Sequence, residues 1–82
     1  MSQHDKTLDD LFRDPVLASI EWRAVESLFR SLGADVSEGA GSRVRVSLNG
    51  VKAILHRPHP EKEIGKNMVR SIREFLSNAG VR

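Results

Sequence analysis

The sequence predicts an α+β fold: a two-layer sandwich in which a three-stranded antiparallel sheet is packed by helices, in the order (α)-α-β-β-β-α. Three observations carry this expectation. Apolar residues recur at helical spacing up to Gly33 and again after Glu61. Polar and apolar residues alternate from Arg43 to His56, and Asn49-Gly50 interrupts that alternation at its centre. A sheet with one apolar face needs a covering layer, and two amphipathic helices supply it.

Residues 1–18 read as an N-terminal extension with a short helix. Thr7-Leu8-Asp9-Asp10 has the pattern of an N-cap followed by first-turn carboxylates, with residues 1–6 as a tail ahead of it and Pro15 ending it. Leaving Leu11 and Phe12 exposed would cost about 25 cal/mol per Å² of apolar surface, so the extension is expected to dock on the remaining domain, residues 19–82. A longer helix runs from near Ser19 to Gly33, a natural C-cap. Its stripe is Trp22, Val25, Leu28, Phe29 and Leu32; the two aromatics lie in line with aliphatic residues and read as core. Asp35 to Glu38 follows as a short first strand, and Gly39-Ala40-Gly41 as a flexible turn.

The hairpin can be read residue by residue. Asn49-Gly50 suits a two-residue type I′ turn, in which both central residues need positive φ. That register sets Leu48 opposite Val51, Val46 opposite Ala53 and Val44 opposite Leu55 on the core face. The other face carries Ser47 with Lys52, Arg45 with Ile54, and Arg43 with His56: a cationic platform with an imidazole at its end. Arg57-Pro58-His59-Pro60 then ends the sheet, because proline removes backbone donors and biases its neighbour toward extended geometry. The last helix runs from Glu61 or Ile64 to Asn78, with Gly80 just beyond. Met68, Val69, Ile72, Phe75, Leu76 and Ala79 form its buried stripe, and Lys66, Arg70 and Arg73 a basic ridge beside it.

Composition narrows the chemistry. Eighty-two residues make one small domain that buries roughly 60% of its unfolded surface. The absence of cysteine excludes disulfides and thiolate metal sites. His4, His56 and His59 lack metal-ligand spacing, Gly39 and Gly41 do not form a phosphate loop, and Ser42 has no acidic neighbour to complete a triad, so no metal and no cofactor is expected. No apolar run spans a bilayer and no secretory signal is apparent, which fits a cytoplasmic bacterial protein without a membrane partner. The net charge of +2 is unevenly distributed. Residues 1–40 hold four basic and eight acidic side chains, a balance of −4, whereas residues 41–82 hold nine and three, a balance of +6. A basic half fits a polyanion or an acidic protein as partner, and equally a solvated face.

Several features follow one another in a specific order: the helix closing at Gly33, the Gly41-Ser42 step, Pro58-His59-Pro60, Lys62-Glu63-Ile64-Gly65-Lys66, and a helix closing in Asn78-Ala79-Gly80-Val81. In these, from about Trp22 to Val81, the chain resembles the HicA toxins, small ribonuclease partners in bacterial toxin–antitoxin pairs. The resemblance implies a double-stranded-RNA-binding-domain-like fold, mRNA binding, metal-independent mRNA cleavage and neutralisation by a cognate HicB-type antitoxin. It also implies an essential histidine after the Gly-Ser step, where this chain has Arg43. Arginine stays charged and cannot act as a general base, but it can hold a phosphate. Opposite it in the hairpin stands His56, about 4.5–5.5 Å away at the β-carbons. The candidate catalytic pair is therefore Arg43 and His56, with His56 taking a 2′-hydroxyl proton while Arg43 and Arg45 hold the phosphate. Arg45, Lys52, His59, Lys62, Lys66, Arg70 and Arg73 are the candidate RNA contacts; His59 alternatively only orients its turn. Three functions remain open: an active mRNA interferase, a non-cleaving binder of RNA or protein, and a module that docks an acidic antitoxin.

Overall fold

The hairpin organises the molecule. In the computed structural model, which describes residues 3–58 and 61–82, Asn49 and Gly50 have φ of 51° and 82°, as a type I′ turn requires. The strands it joins are β2 (Arg43–Leu48) and β3 (Val51–His56), paired Arg43↔His56, Arg45↔Ile54 and Ser47↔Lys52 as the turn dictates. β1 (Asp35–Glu38) pairs antiparallel with β2, giving the sheet order β1-β2-β3. Three helices complete the sandwich: α1 (Gln3–Leu11), α2 (Trp22–Ser31) and α3 (Lys66–Asn78). The expected α+β architecture is the one observed.

The core lies between the layers. Val44, Val46, Leu48 and Leu55 line the inner face of the sheet. Against them pack Val25, Leu28 and Phe29 of α2 and Val69, Ile72, Phe75 and Leu76 of α3. Phe29 and Phe75 meet edge to face, centroids 5.7 Å apart and planes at 76°, a geometry worth about 0.5–1.5 kcal/mol beyond area burial. Both core helices end in the same way. Gly33 and Gly80 take positive φ, and the following amides of Ala34 and Val81 donate back to Phe29 and Leu76 carbonyls.

Three boundaries differ from the sequence expectation, and two share one cause. The N–H of Ile64 donates to the Ile20 carbonyl and that of Trp22 to the Lys62 carbonyl, both at 2.9 Å, with Glu21 bridging Glu63. Ile20 and Ile64 are buried on this pairing. Residues 19–21 and 61–64 are therefore held out of the helices by this pairing, so α2 begins at Trp22 rather than Ser19 and α3 at Lys66 rather than Glu61 or Ile64. The third difference is α1, which begins at Gln3. Thr7 is not its cap but a buried interior residue whose hydroxyl donates to the Gln3 carbonyl at 3.0 Å. Tertiary contact supports the earlier start: His4 Nε2 bonds Ser27 Oγ of α2 at 2.9 Å, and Leu11 is fully buried in the common core.

Candidate nucleic-acid interface

The face of the sheet turned away from the helices forms a grid of three rows. Asp35–Ser47–Lys52 is the first and Ser37–Arg45–Ile54 the second. In the third, the Gly39 N–H donates to the Arg43 carbonyl at 2.8 Å, which sets Gly39–Arg43–His56 in line. Successive rows are about 6.5 Å apart, since each strand rises about 3.3 Å per residue.

Pairing geometry tightens this surface. The Arg57 N–H donates to the Ser42 carbonyl at 2.8 Å, marking Ser42 and Arg57 as a hydrogen-bonded position. The antiparallel ladder alternates, so Arg43↔His56, Arg45↔Ile54 and Ser47↔Lys52 are the close, non-hydrogen-bonded pairs, with Cα atoms about 4.5 Å apart. Arg43, Arg45, Lys52 and His56 are all exposed, and among the described residues none of their side chains makes a hydrogen bond or ion pair. Their donors are available to a ligand.

Arg57 anchors the end of this face. Its guanidinium bonds Glu38 at the end of β1 and lies 4.0 Å from Glu26 of α2, so it ties both outer elements to the chain just after His56. No motif or spacing in the sequence marks Arg57, which lies just beyond the alternating pattern of the hairpin.

The structure brings together only part of the expected contact set. Arg43, Arg45, Lys52 and His56 share one face. Lys66 and Arg70 are exposed on the far side of α3: at about 100° per residue, Arg70 is about 200° round from the fully buried Ile72. Lys62 is exposed in the segment before α3. Arg73 does not join that ridge. Its guanidinium donates to the carbonyls of Leu11 and Arg13, satisfying the open C-terminal end of α1. His59 lies outside the described residues.

Two further residues on the grid were not anticipated as functional. Asp35 is a carboxylate on an otherwise cationic face, and Ile54 is 61% exposed. With Ser37, Arg45, Ser47 and Lys52 they line a shallow groove of about 370 Å³. The pairing of β1 could have revealed this, but a Gly-rich turn does not set a register as Asn-Gly does.

Among the described residues, no group of three or more His, Cys, Asp or Glu side chains could hold a metal ion, and no helix is long and apolar enough to cross a membrane. A family model for the HicA toxin of bacterial toxin–antitoxin matches residues 22–81. The chain belongs to the HicA toxin family. No curated protein and no solved structure matches it. The HicA match begins at the first residue of α2 and ends three residues after α3, so the sheet face and both core helices lie within it and α1 lies outside. Membership makes the chain the toxin component of a toxin–antitoxin system, with an antitoxin as its counterpart.

Proposed function

We propose that this HicA-family toxin binds mRNA on the outer face of its sheet and cleaves it as a metal-independent endoribonuclease. A cognate HicB-type antitoxin would neutralise it by covering the same face. The observation that carries the reading is the exposed, unpaired couple Arg43 and His56 at one end of a cationic grid.

The chemistry follows from what each group can do. Arg43 and Arg45 present planar donor forks suited to phosphate oxygens. Neutral imidazole accepts a proton near pH 7. His56 removes the proton from the 2′-hydroxyl as that oxygen bonds to phosphorus. The bond from phosphorus to the 5′-oxygen breaks, and the 5′-oxygen leaves as a hydroxyl with a proton from water. The products are a 2′,3′-cyclic phosphate and a 5′-hydroxyl end, and the imidazolium returns its proton to solvent. Lys52 holds a neighbouring phosphate. Lys62, Lys66 and Arg70 form a second patch for a longer strand. Arg73 is left out of the contact set, its donors being committed to α1.

One observation favours a second reading, in which the protein binds RNA without cutting it. Arg43 replaces the histidine that the family resemblance implies, leaving His56 as the imidazole of this face among the described residues. Incubating purified protein and a His56→Ala variant with a long mRNA separates the two. Cleavage by the parent alone supports the Arg43–His56 pair, cleavage by both removes His56 from the mechanism, and cleavage by neither leaves a binder.

A further inference from the structure

We infer that the groove beside the Arg43–His56 pair is a base-reading site that seats an unstacked guanine of the RNA strand. The inference rests on the proposed RNA binding and adds a substrate preference to it.

The carboxylate and the exposed large hydrophobic of this face are found in the same groove. Ile54 is the one exposed large hydrophobic among the described residues, and it lies in the middle row, between the phosphate-binding end and the Asp35 row. Asp35 is exposed and its carboxylate has no hydrogen bond or ion pair among the described residues, although Lys52 stands two strands away in its own row. The apolar ledge and the carboxylate lie diagonally across β2, about 12 Å apart at their Cα atoms, a span suited to a nucleobase that lays its flat apolar face on the one and turns its hydrogen-bonding edge to the other. RNA-binding proteins read such bases by stacking and by bonds to the Watson–Crick edge.

The carboxylate decides which base. An ionised carboxylate only accepts, through two oxygens. Guanine presents two adjacent donors, N1–H and the N2 amine, and matches both oxygens. Adenine and cytosine set a ring-nitrogen acceptor beside their amine, and uracil flanks its one N–H with two carbonyls, so each places a repulsive lone pair against Asp35. The row Asp35–Ser47–Lys52 spans about 10 Å between outer Cα atoms, which lets the guanine O6 point toward the Ser47 hydroxyl or the Lys52 ammonium. The Arg45 fork lies in the adjacent row, placed for the phosphate of the same nucleotide.

The test is fluorescence anisotropy with a labelled oligoadenylate carrying one central guanine, inosine or adenine, built with 2′-fluoro riboses that cannot be cleaved. Inosine lacks only the N2 amine. The protein is expected to hold the guanine probe about tenfold more tightly than either of the others, the range of a charge-assisted hydrogen bond in a partly wet site. Asp35→Asn should erase that preference while holding the adenine probe at least as tightly, since it removes a negative charge. Ile54→Ala should weaken all three probes alike, because stacking on an apolar ledge is sequence-tolerant. Equal affinity of the parent for the three probes overturns the guanine site while leaving RNA binding intact, and returns the groove to a protein ligand. No binding to any probe overturns the proposed function and this inference together.

Discussion

Asn49 Nδ2 donates a hydrogen bond to the carbonyl of Ala79 at 2.8 Å, joining the tip of the hairpin to the C-terminal end of α3. The residue therefore has two tasks. Its backbone takes the positive φ of the turn, and its amide satisfies one of the open carbonyls at a helix end. Asn49→Asp keeps the first and removes the second, replacing a donor with a negative charge beside the negative end of a helix. We expect a loss of about 1–2 kcal/mol. Urea unfolding followed by the fluorescence of Trp22, the only tryptophan and 5% exposed, measures it. Asn49→Gly, which also fits the turn, should lose a similar amount; an unchanged midpoint in both would show that the bond contributes nothing.

Arg73 reaches the carbonyls of Leu11 and Arg13, while Arg82 pairs with Asp9 at 2.6 Å and lies over the Phe12 ring at 5.4 Å. Two arginines, from α3 and from beyond it, hold the end of α1. Arg73→Met keeps the aliphatic stem but leaves two carbonyls without their donor. It should cost about 1.5–3 kcal/mol, the range for hydrogen bonds to a charged group, reduced toward the lower end by the half-exposed setting. Hydrogen exchange should show faster exchange in α1 with little change in the sheet. RNA affinity should stay at the parent value, and a drop matching that of Arg70→Met would return Arg73 to the contact surface.

Salt dependence reads the phosphate contacts directly. Each neutralised phosphate of a single strand contributes about −0.7 to the slope of log K against log salt concentration. Arg45→Gln and Lys52→Gln should each flatten the slope by about that amount. The pair Lys66→Glu with Arg70→Glu should flatten it only for RNA long enough to reach the far side of α3. A slope insensitive to Arg45 and Lys52 would remove the sheet face from the RNA contact.

Arg43→His would supply a second imidazole opposite His56. General acid–base catalysis by a positioned side chain is worth about 10²–10⁴ in rate, so cleavage of a long mRNA should rise by at least the lower figure. Followed by gel, the gain should persist when His56→Ala is added, because the new imidazole can act as the base. No gain in either background would argue that neither position meets the 2′-hydroxyl.

Much of this protein is legible locally. An Asn-Gly turn sets the pairing of the strands it joins, and alternation then assigns every hairpin side chain to a face, so the Arg43↔His56 pair and the cationic platform follow from a short stretch of sequence. Helical spacing likewise names Trp22, Val25, Leu28, Phe29, Val69, Ile72, Phe75 and Leu76 as core. The starts of α2 and α3 were not legible, because they depend on a pairing between Ile20 and Ile64 that no local signal encodes.

By itself, then, the sequence determines what short-range stereochemistry controls: turn type, strand register across a two-residue loop, and which stripe of each helix is apolar. Tertiary structure alone decided whether a polar side chain stays available. Arg70 and Arg73 belong to one ridge by spacing, yet Arg73 is drawn to α1, where two open carbonyls attract its charge. Asp35 and Ile54 are 19 positions apart and line one groove only because β1 and β3 flank β2. The physical reason is the same in each case: these arrangements depend on contacts between distant segments, and those contacts form only when the layers close on a shared core.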